Sequence, residues 1–568
     1  MTLAQVDELF ATRHAESPAP GLVYGVVRHG ELIHAGGLGT VSPGSSQRPD
    51  EHTVMRIASM SKSFTAAAVL LLRDRGQLDL DEAVAQYVPE LVDQPPYSSA
   101  SPAVTLRLLL TMAGGIPTDN PWGDRQESLG DEDFGTFLDG GFTVGAEPGT
   151  GFEYANLGYA LLGRAIDHVT GESFRDLIEH ELLAPLGMTA TRYDAALVGP
   201  LLAPGHAKRG ESWVELEPTV PGAFSAMGGL HSSVVDLARW VGGFTAAYDE
   251  RRDAHPLSRA SRREMQQLHR FRRVLGRVSA RPGRAAVSAA AVGYGYGLFV
   301  EHDSELGQLV HHSGGYPGYG SQMVWHPETG LGVVTMSNGS YGGAYQQALD
   351  GLAALVRASS RPAARPSVPG TLPAVAAATA HLAAFDVDGE APFADPALFA
   401  ESVVLDVPEE QRRRELRVVR SKVGALLPGG SGEPWSVLMA HAEWVVPAER
   451  GHCLLELTLS PEATPRIQEL HVKALPPASD EVLARAREAL AADTPEVRLL
   501  RAFGTPELLE APVAAGETST DLLVSAGTTW WKAAVPPEGA ATLTPYDTAA
   551  WPRLTWLAGE LLRTDRGS

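Results

Sequence analysis

One segment constrains the fold more than any other: SKSFTAAAVLLLRDRG, residues 61–76, reads as a helix that is apolar on nearly every face and ends in basic residues and Gly76. The basic end suits the negative pole of a helix, and the glycine suits its left-handed cap. A helix without a polar face must be buried all round, so the chain has to contain a domain with a large core. Its length allows this. At 568 residues it exceeds one ordinary core, which implies two or three domains when a domain runs to about 100–200 residues.

The chain carries 46 basic and 68 acidic residues, for a net charge of −22, and has no Lys/Arg block interleaved with aromatics. Phosphate backbones would be repelled, which excludes nucleic acid as a partner. Cys453 is the only cysteine, so an intrachain disulfide and a zinc site built on several thiolates are both excluded. The first residues, MTLAQVDELFATRHAESP, mix acidic with apolar positions, and no later run approaches the length of a membrane span, about 20 apolar residues. The expectation is a cytoplasmic protein without a membrane partner.

Apolar spacing predicts a helix over 2–16 with Thr2 as N-cap, a hairpin over 21–39 turning near His29-Gly30, and helices over 157–169, 173–183, 233–244 and 343–358. YGLFVEH (296–302), GQLVHH (307–312), SQMVWH (321–326) and LGVVTMSN (331–338) read as successive strands of an antiparallel meander. Helices in the middle and strands at both ends make residues 1–360 an α+β domain. The proline-rich stretch 361–376 reads as a linker. Residues 377–568 read as a smaller accessory α+β region of one or two units, with a helix at 480–493 and no catalytic grouping.

The chemistry begins at Ser59-Met60-Ser61-Lys62, where the apolar helix starts. Residues i and i+3 share a helical face, so Lys62 lies beside the Ser59 hydroxyl. Serine is a poor nucleophile until a neighbour accepts its proton, and an amine of lowered pKa can do so. The helix N-terminus also offers N–H groups to a developing oxyanion.

With its flanks RPDEHTVMRIAS and RGQLDLDEAVAQYVPEL, this element resembles the serine β-lactamase-related family: class C β-lactamases, D-alanyl-D-alanine carboxypeptidases, D-aminopeptidases and related esterases. The resemblance covers about residues 5–360. It implies an antiparallel sheet with helices on both faces, a helical subdomain, an acyl-enzyme on Ser59, and no cofactor. The family's second element is matched by Tyr154-Ala155-Asn156 and its third by His312-Ser313-Gly314-Gly315. Tyr154 can relay the nucleophile's proton if Lys62 depresses its pKa, and Asn156 can orient Lys62 and a substrate carbonyl. His312 stands where many relatives carry lysine, and can stabilise negative charge or hydrogen-bond the substrate, as a neutral ring or as a cation. Ser313 and Gly314 are expected beside the substrate, and by resemblance the N–H of Gly315 joins that of Ser59 in an oxyanion hole.

Where many relatives read L-L-T-H-T-S-G, this chain has Leu109-Leu110-Thr111-Met112-Ala113-Gly114-Gly115, losing the His and Ser. In the following TDNPWGDRQES (118–128), Trp122 is expected to contact substrate, although it and Asp124 suit loop anchors as well. No H-E-x-x-H occurs, and no metal is required. The expected activity is cleavage of an amide or ester in a small molecule or short peptide, most simply a D-amino-acid peptide or small ester, with weak β-lactam hydrolysis as an alternative. A scaffold without catalysis is the alternative of another class. The C-terminal region is expected to cover the cleft or to mediate homo-oligomerisation.

Overall fold

The computed structural model describes residues 3–16, 19–248, 254–281, 284–359, 371–427, 434–436, 438–515, 519–526, 529–546 and 556–561. The chain divides into two units between Ser360 and Arg361.

The first unit is built on eight antiparallel strands: β1 Gly21–Arg28, β2 Glu31–Gly39, β3 Arg270–Arg281, β4 Arg284–Tyr294, β5 Phe299–Asp303, β6 Gly307–Tyr316, β7 Tyr319–His326 and β8 Leu331–Ser337. Their spatial order is β2-β1-β8-β7-β6-β5-β4-β3. Six consecutive strands therefore form one meander, and the N-terminal hairpin joins at its end, with Leu22 opposite Ser337 and Arg28 opposite Leu331. The hairpin turns on His29 (φ 49°) and Gly30 (φ 85°). Two positive φ values in a two-residue loop match the right-handed twist of the strands they join.

Both faces of the sheet are covered, and the period of two in each strand explains how. Leu22, Tyr24 and Val26 pack on one side with Val6 and Phe10 of α1 (Leu3–Glu16), and with residues such as Leu352 of the helix Tyr345–Ser359. Val23 and Val27 join the larger core on the other side. That core contains α2 (Lys62–Asp74), whose residues 62–72 are all buried. It also contains α3 (Asn156–Thr170) and α4 (Val234–Thr245), where Trp240 stacks on Phe64 of α2 at 3.9 Å between centroids. The all-round apolar helix lies in the middle of the largest hydrophobic cluster.

Several boundaries differ from the sequence reading. The expected strand 296–302 begins only at Phe299, because Gly297 turns the chain with φ 70° where a Cβ would sit 2.6 Å from the Lys62 carbonyl oxygen. The β3–β4 hairpin was not foreseen: RFRRVLGRVSAR and RAAVSAAAVGY are rich in Arg and Ala, which do not mark strands. Helix 173–183 divides into an α-helical turn, Phe174–Ile178, and a π-helical one, Glu179–Leu183. The expected linker 361–376 is too long at its C-terminal end, since a helix spans Thr371–Ala384. Pro373 falls in its first turn, where a missing N–H costs no intrahelical bond. Thr2 and residues 361–370 lie outside the described residues.

The second unit holds two sheets. In the first, strands His441–Ala448, Gly451–Leu459 and Ile467–Leu475 pack Trp444, Leu455 and Leu457 against Leu382 and Leu416 of helices Thr371–Ala384 and Glu409–Val423. Cys453 is buried in this core. In the second, four strands between Pro506 and Tyr546 share a core with Ala486 and Leu500 of helices Asp480–Ala491 and Pro495–Phe503. Among the described residues, no helix is long and apolar enough to cross a membrane.

Candidate active site

Ala58 has φ 45°, a left-handed conformation that a side chain resists. Such strain, about 1–3 kcal/mol, persists only where the surroundings enforce it. The short 3-10 turn Ala58–Ser61 then runs straight into α2, leaving Ser59 half-buried at the mouth of a buried helix. One turn on, Lys62 is 0% exposed. Its Nζ donates to Ser59 Oγ at 3.0 Å, to Asn156 Oδ1 at 2.8 Å and to the Met227 carbonyl at 2.8 Å. Burial pulls its pKa from 10.5 to about 7, against the opposing pull of Asp119, Asp124 and Glu127. The amine therefore titrates near neutrality.

Each acceptor around Lys62 is itself held. α3 has no local side-chain cap; instead Asp119 accepts from the Asn156 N–H at 2.7 Å and the Leu157 N–H at 2.8 Å. A carboxylate on the first N–H groups of a helix satisfies them and its dipole together. Asn156 Nδ2 donates to Asn120 Oδ1 at 2.8 Å, which turns Oδ1 toward Lys62. The Met227 carbonyl belongs to a turn gripped by a buried ion pair: Arg56 Nη2 meets Glu127 Oε2 at 2.8 Å and Arg56 Nε donates to Gly228 O at 3.0 Å. Glu127 Oε1 in turn accepts from Ser225 Oγ at 2.6 Å. At 1% exposure and with both amide atoms engaged, Asn156 orients Lys62 but does not line the cleft, which corrects the expectation that it contacts substrate.

Tyr154 lines the cleft beside Ser59, and its ring lies 5.0 Å from Lys62 Nζ. Burial raises its pKa above the ordinary tyrosine value, and the contact with Ser59 only partly opposes this. The depression on which the relay depends is therefore reversed: desolvation dominates, the fields of Asp119 and Asp124 add to it, and the phenol keeps its proton.

His312 is buried on β6. Its Nδ1 lies 2.7 Å from the Ser313 carbonyl, which can only accept, so Nδ1 carries the hydrogen. Nε2 then accepts from the Tyr294 hydroxyl at 2.9 Å. Burial and the neighbouring Lys62 push its pKa down to about 3. The ring is neutral with both nitrogens occupied, so it forms part of the wall and neither of the contacts expected of it. Gly314 packs away from the cleft, where a Cβ would lie 2.1 Å from the Ile57 carbonyl oxygen. Its bareness lets β6 approach the backbone leading to Ser59, not the substrate.

Ser59, Tyr154, His312, Ser313 and Gly315 line one cleft of about 730 Å³. Trp122 is outside it, packed at 5.5 Å against both Phe137 and Phe224 as a loop anchor. Thr118, Asn120 and Asp124 of the same segment do reach the cleft. Asp124 accepts from the Tyr341 hydroxyl at 2.9 Å, and burial raises its pKa. Phe271, Arg272 and Phe299 line it too and were not anticipated, because no local pattern brings strands β3 and β5 to a serine so distant in sequence. In the segment where His and Ser give way to Met112 and Gly114, the backbone carbonyls of Met112 and Ala113 accept from the Glu153 N–H at 2.9 Å and the Gly149 N–H at 2.8 Å. The loop before Tyr154 thus keeps its support.

The family model described as Beta-lactamase matches residues 6–358. The chain is 26% identical to Protein flp of Staphylococcus aureus (strain NCTC 8325 / PS 47) over 344 residues, 59% of this chain and 62% of that protein. It is 25% identical to Penicillin-binding protein 4* of Bacillus subtilis (strain 168) over 338 residues, 56% of this chain and 68% of that one. Among solved structures, the octameric penicillin-binding protein homologue from Pyrococcus abyssi superposes with a TM-score of 0.53 at 20% identity, covering 96% of this chain and 100% of that one.

Proposed function

Given that this chain belongs to the Beta-lactamase family, with its antiparallel sheet and helical layers, we propose that it is a serine hydrolase cleaving an amide or ester through an acyl-Ser59 intermediate. The observation that carries the reading is the 3.0 Å approach of a fully buried lysine amine, titrating near 7, to the Ser59 hydroxyl. With two hydrogens given to Asn156 and Met227, a neutral amine has its lone pair left for the serine proton.

In this mechanism Ser59 Oγ attacks the carbonyl carbon while its proton passes to Lys62. The N–H groups of Ser59 and Gly315 receive the oxyanion. The still-protonated Tyr154 hydroxyl, in contact with Ser59, gives its proton to the leaving nitrogen or oxygen and recovers one from Lys62. Water then releases the acyl group. Short D-amino-acid peptides or amides and small esters suit the neutral His312 better than a β-lactam, whose carboxylate calls for a permanent cation on that strand. The intact trio of Ser59, Lys62 and Tyr154 favours catalysis over a scaffold. The octamer of the Pyrococcus abyssi protein further suggests self-association here through residues 361–568, to be read from the mass of the full chain in solution against that of residues 1–360.

The test is intact-protein mass spectrometry after exposure to a fluorophosphonate and, separately, a penicillin. One adduct on the wild type, absent from Ser59→Ala, is the expected result. Absence of any adduct with both probes overturns the hydrolase reading in favour of a scaffold.

A further inference from the structure

Phe271 and Arg272 are neighbours on β3, yet both line the cleft. In a regular strand successive side chains point to opposite faces. The ladder breaks at this point: Phe271 lies opposite Gly293 and Arg273 opposite Val292, which leaves Arg272 as the extra residue of a β-bulge. Bulges re-aim a side chain at the cost of ladder regularity. The partner strand accommodates it with Gly293, where a Cβ would lie 2.3 Å from the Arg270 carbonyl oxygen.

The re-aimed guanidinium sits 5.2 Å from the Phe152 ring centroid and 5.8 Å from that of Phe299. Phe299 in turn stacks on Tyr154 at 6.3 Å and packs on His312 at 5.3 Å. The arginine therefore caps an aromatic wall that reaches the reacting groups. Among the described residues it has no acidic partner, unlike Arg56, Arg73 and Arg107, which pair with Glu127, Glu264 and Asp81. The cleft's own carboxylates are turned elsewhere, Glu153 to the Thr118 hydroxyl at 2.5 Å and Asp124 to Tyr341. An exposed arginine held by aromatic faces keeps its fork of donors free, in the geometry that suits a carboxylate.

We propose that Arg272 is the anion-recognition residue of this cleft and that the compound cleaved at Ser59 carries a carboxylate, seated against the guanidinium beside Phe152 and Phe299. The proposal deepens the hydrolase reading and rests on it.

The experiment uses the full chain and matched ester pairs. p-Nitrophenyl acetate reports the acyl chemistry. p-Nitrophenyl hydrogen succinate against its methyl ester places a carboxylate on the acyl side, and 3-acetoxybenzoate against its methyl ester places one on the leaving side. The wild type is expected to favour the anion of at least one pair, with a KM lower by about tenfold to a hundredfold, the range of a hydrogen bond to a charged group. Arg272→Gln should abolish that preference through KM rather than kcat, Arg272→Lys should keep part of it, and added salt should weaken it. Equal KM values within both pairs on the wild type, or a preference surviving in Arg272→Gln, overturns the proposal. If Arg272→Gln does not fold, the salt dependence and Arg272→Lys still decide. No turnover of p-nitrophenyl acetate, with no Ser59 adduct, instead brings down the hydrolase reading beneath it.

Discussion

Lys62, buried behind Ser59, and Arg272, in the wall of the cleft, meet opposite electrostatic conditions. Lys62, on the helical side, is 0% exposed, with three acceptors around its Nζ, and burial brings its pKa to about 7. Arg272, on the sheet side, is exposed, rests on two aromatic rings, and is a cation at every working pH. Two basic residues thus suit different tasks: desolvation brings one into the range of a base, and the other keeps its charge by its own chemistry and its donors free by exposure. An exposed lysine would hold its proton and leave Ser59 inert, while a buried arginine would need a carboxylate of its own, as Arg56 needs Glu127.

The largest effect that bears on this contrast is expected from Lys62→Met, which removes the base but keeps an apolar stem in a buried site. kcat/KM for p-nitrophenyl acetate should fall about 10²–10⁴-fold, the usual worth of a general base. Lys62→Arg should not rescue it, because a guanidinium does not give up its proton. Near-normal turnover in either variant would break the division of roles.

Next in size is the pH dependence. The base works unprotonated, so kcat/KM should fall about tenfold per pH unit below the Lys62 pKa and level off above it, with the midpoint near pH 7. His312, at about 3, is already neutral throughout that limb and contributes nothing to it. The ratio of anionic to neutral ester turnover should stay flat across the same limb, since Arg272 does not titrate there. A ratio that follows the Lys62 limb would show the two cations to be coupled.

Asp119 has a smaller effect that separates charge from structure. It caps α3 and its field raises the Lys62 pKa. Asp119→Asn should shift the acid limb of the pH profile to lower pH, because one of the charges favouring the ammonium is gone. Asp119→Ala should do the same and also cost about 1 kcal/mol in urea unfolding, as lost helix caps do. An unmoved limb in both would confine Asp119 to a structural part. The smallest effect on catalysis is expected from Trp122→Ala, since Trp122 packs on Phe137 and Phe224 outside the cleft. Thermal unfolding should register a loss on the order of 1 kcal/mol, with KM for every ester held at its wild-type value.

Much of the helical side was legible because it is local. Ser59 and Lys62 share one turn, and the apolar run behind them announces burial on any reading of helical periodicity. Tyr154-Ala155-Asn156 and His312-Ser313-Gly314-Gly315 were legible as elements in order, although neither shows where its side chains point. The sheet side was much less so. β3 and β4 look like an Arg- and Ala-rich connection until they pair, and the bulge at Arg272 exists only as a mismatch between two strands. Asp119 gives no local sign of capping a helix that starts at Asn156. In the sequence Trp122 suits a substrate contact and a loop anchor equally, and only its packing on Phe137 and Phe224 decides for the anchor.

By itself the sequence determined the candidate nucleophile, the amine one turn away, the buried helix that carries the amine, and the kind of fold able to enclose them. These follow from side-chain type and from spacing along one element, which a single chain segment already contains. Only the tertiary structure decided that Lys62 titrates near neutrality, that Tyr154 keeps its proton, that His312 is locked and neutral, and that Arg272 faces the cleft. Protonation depends on how much water and which charges surround a group, and side-chain direction in a sheet depends on register. Both are set by contacts between segments far apart in the chain.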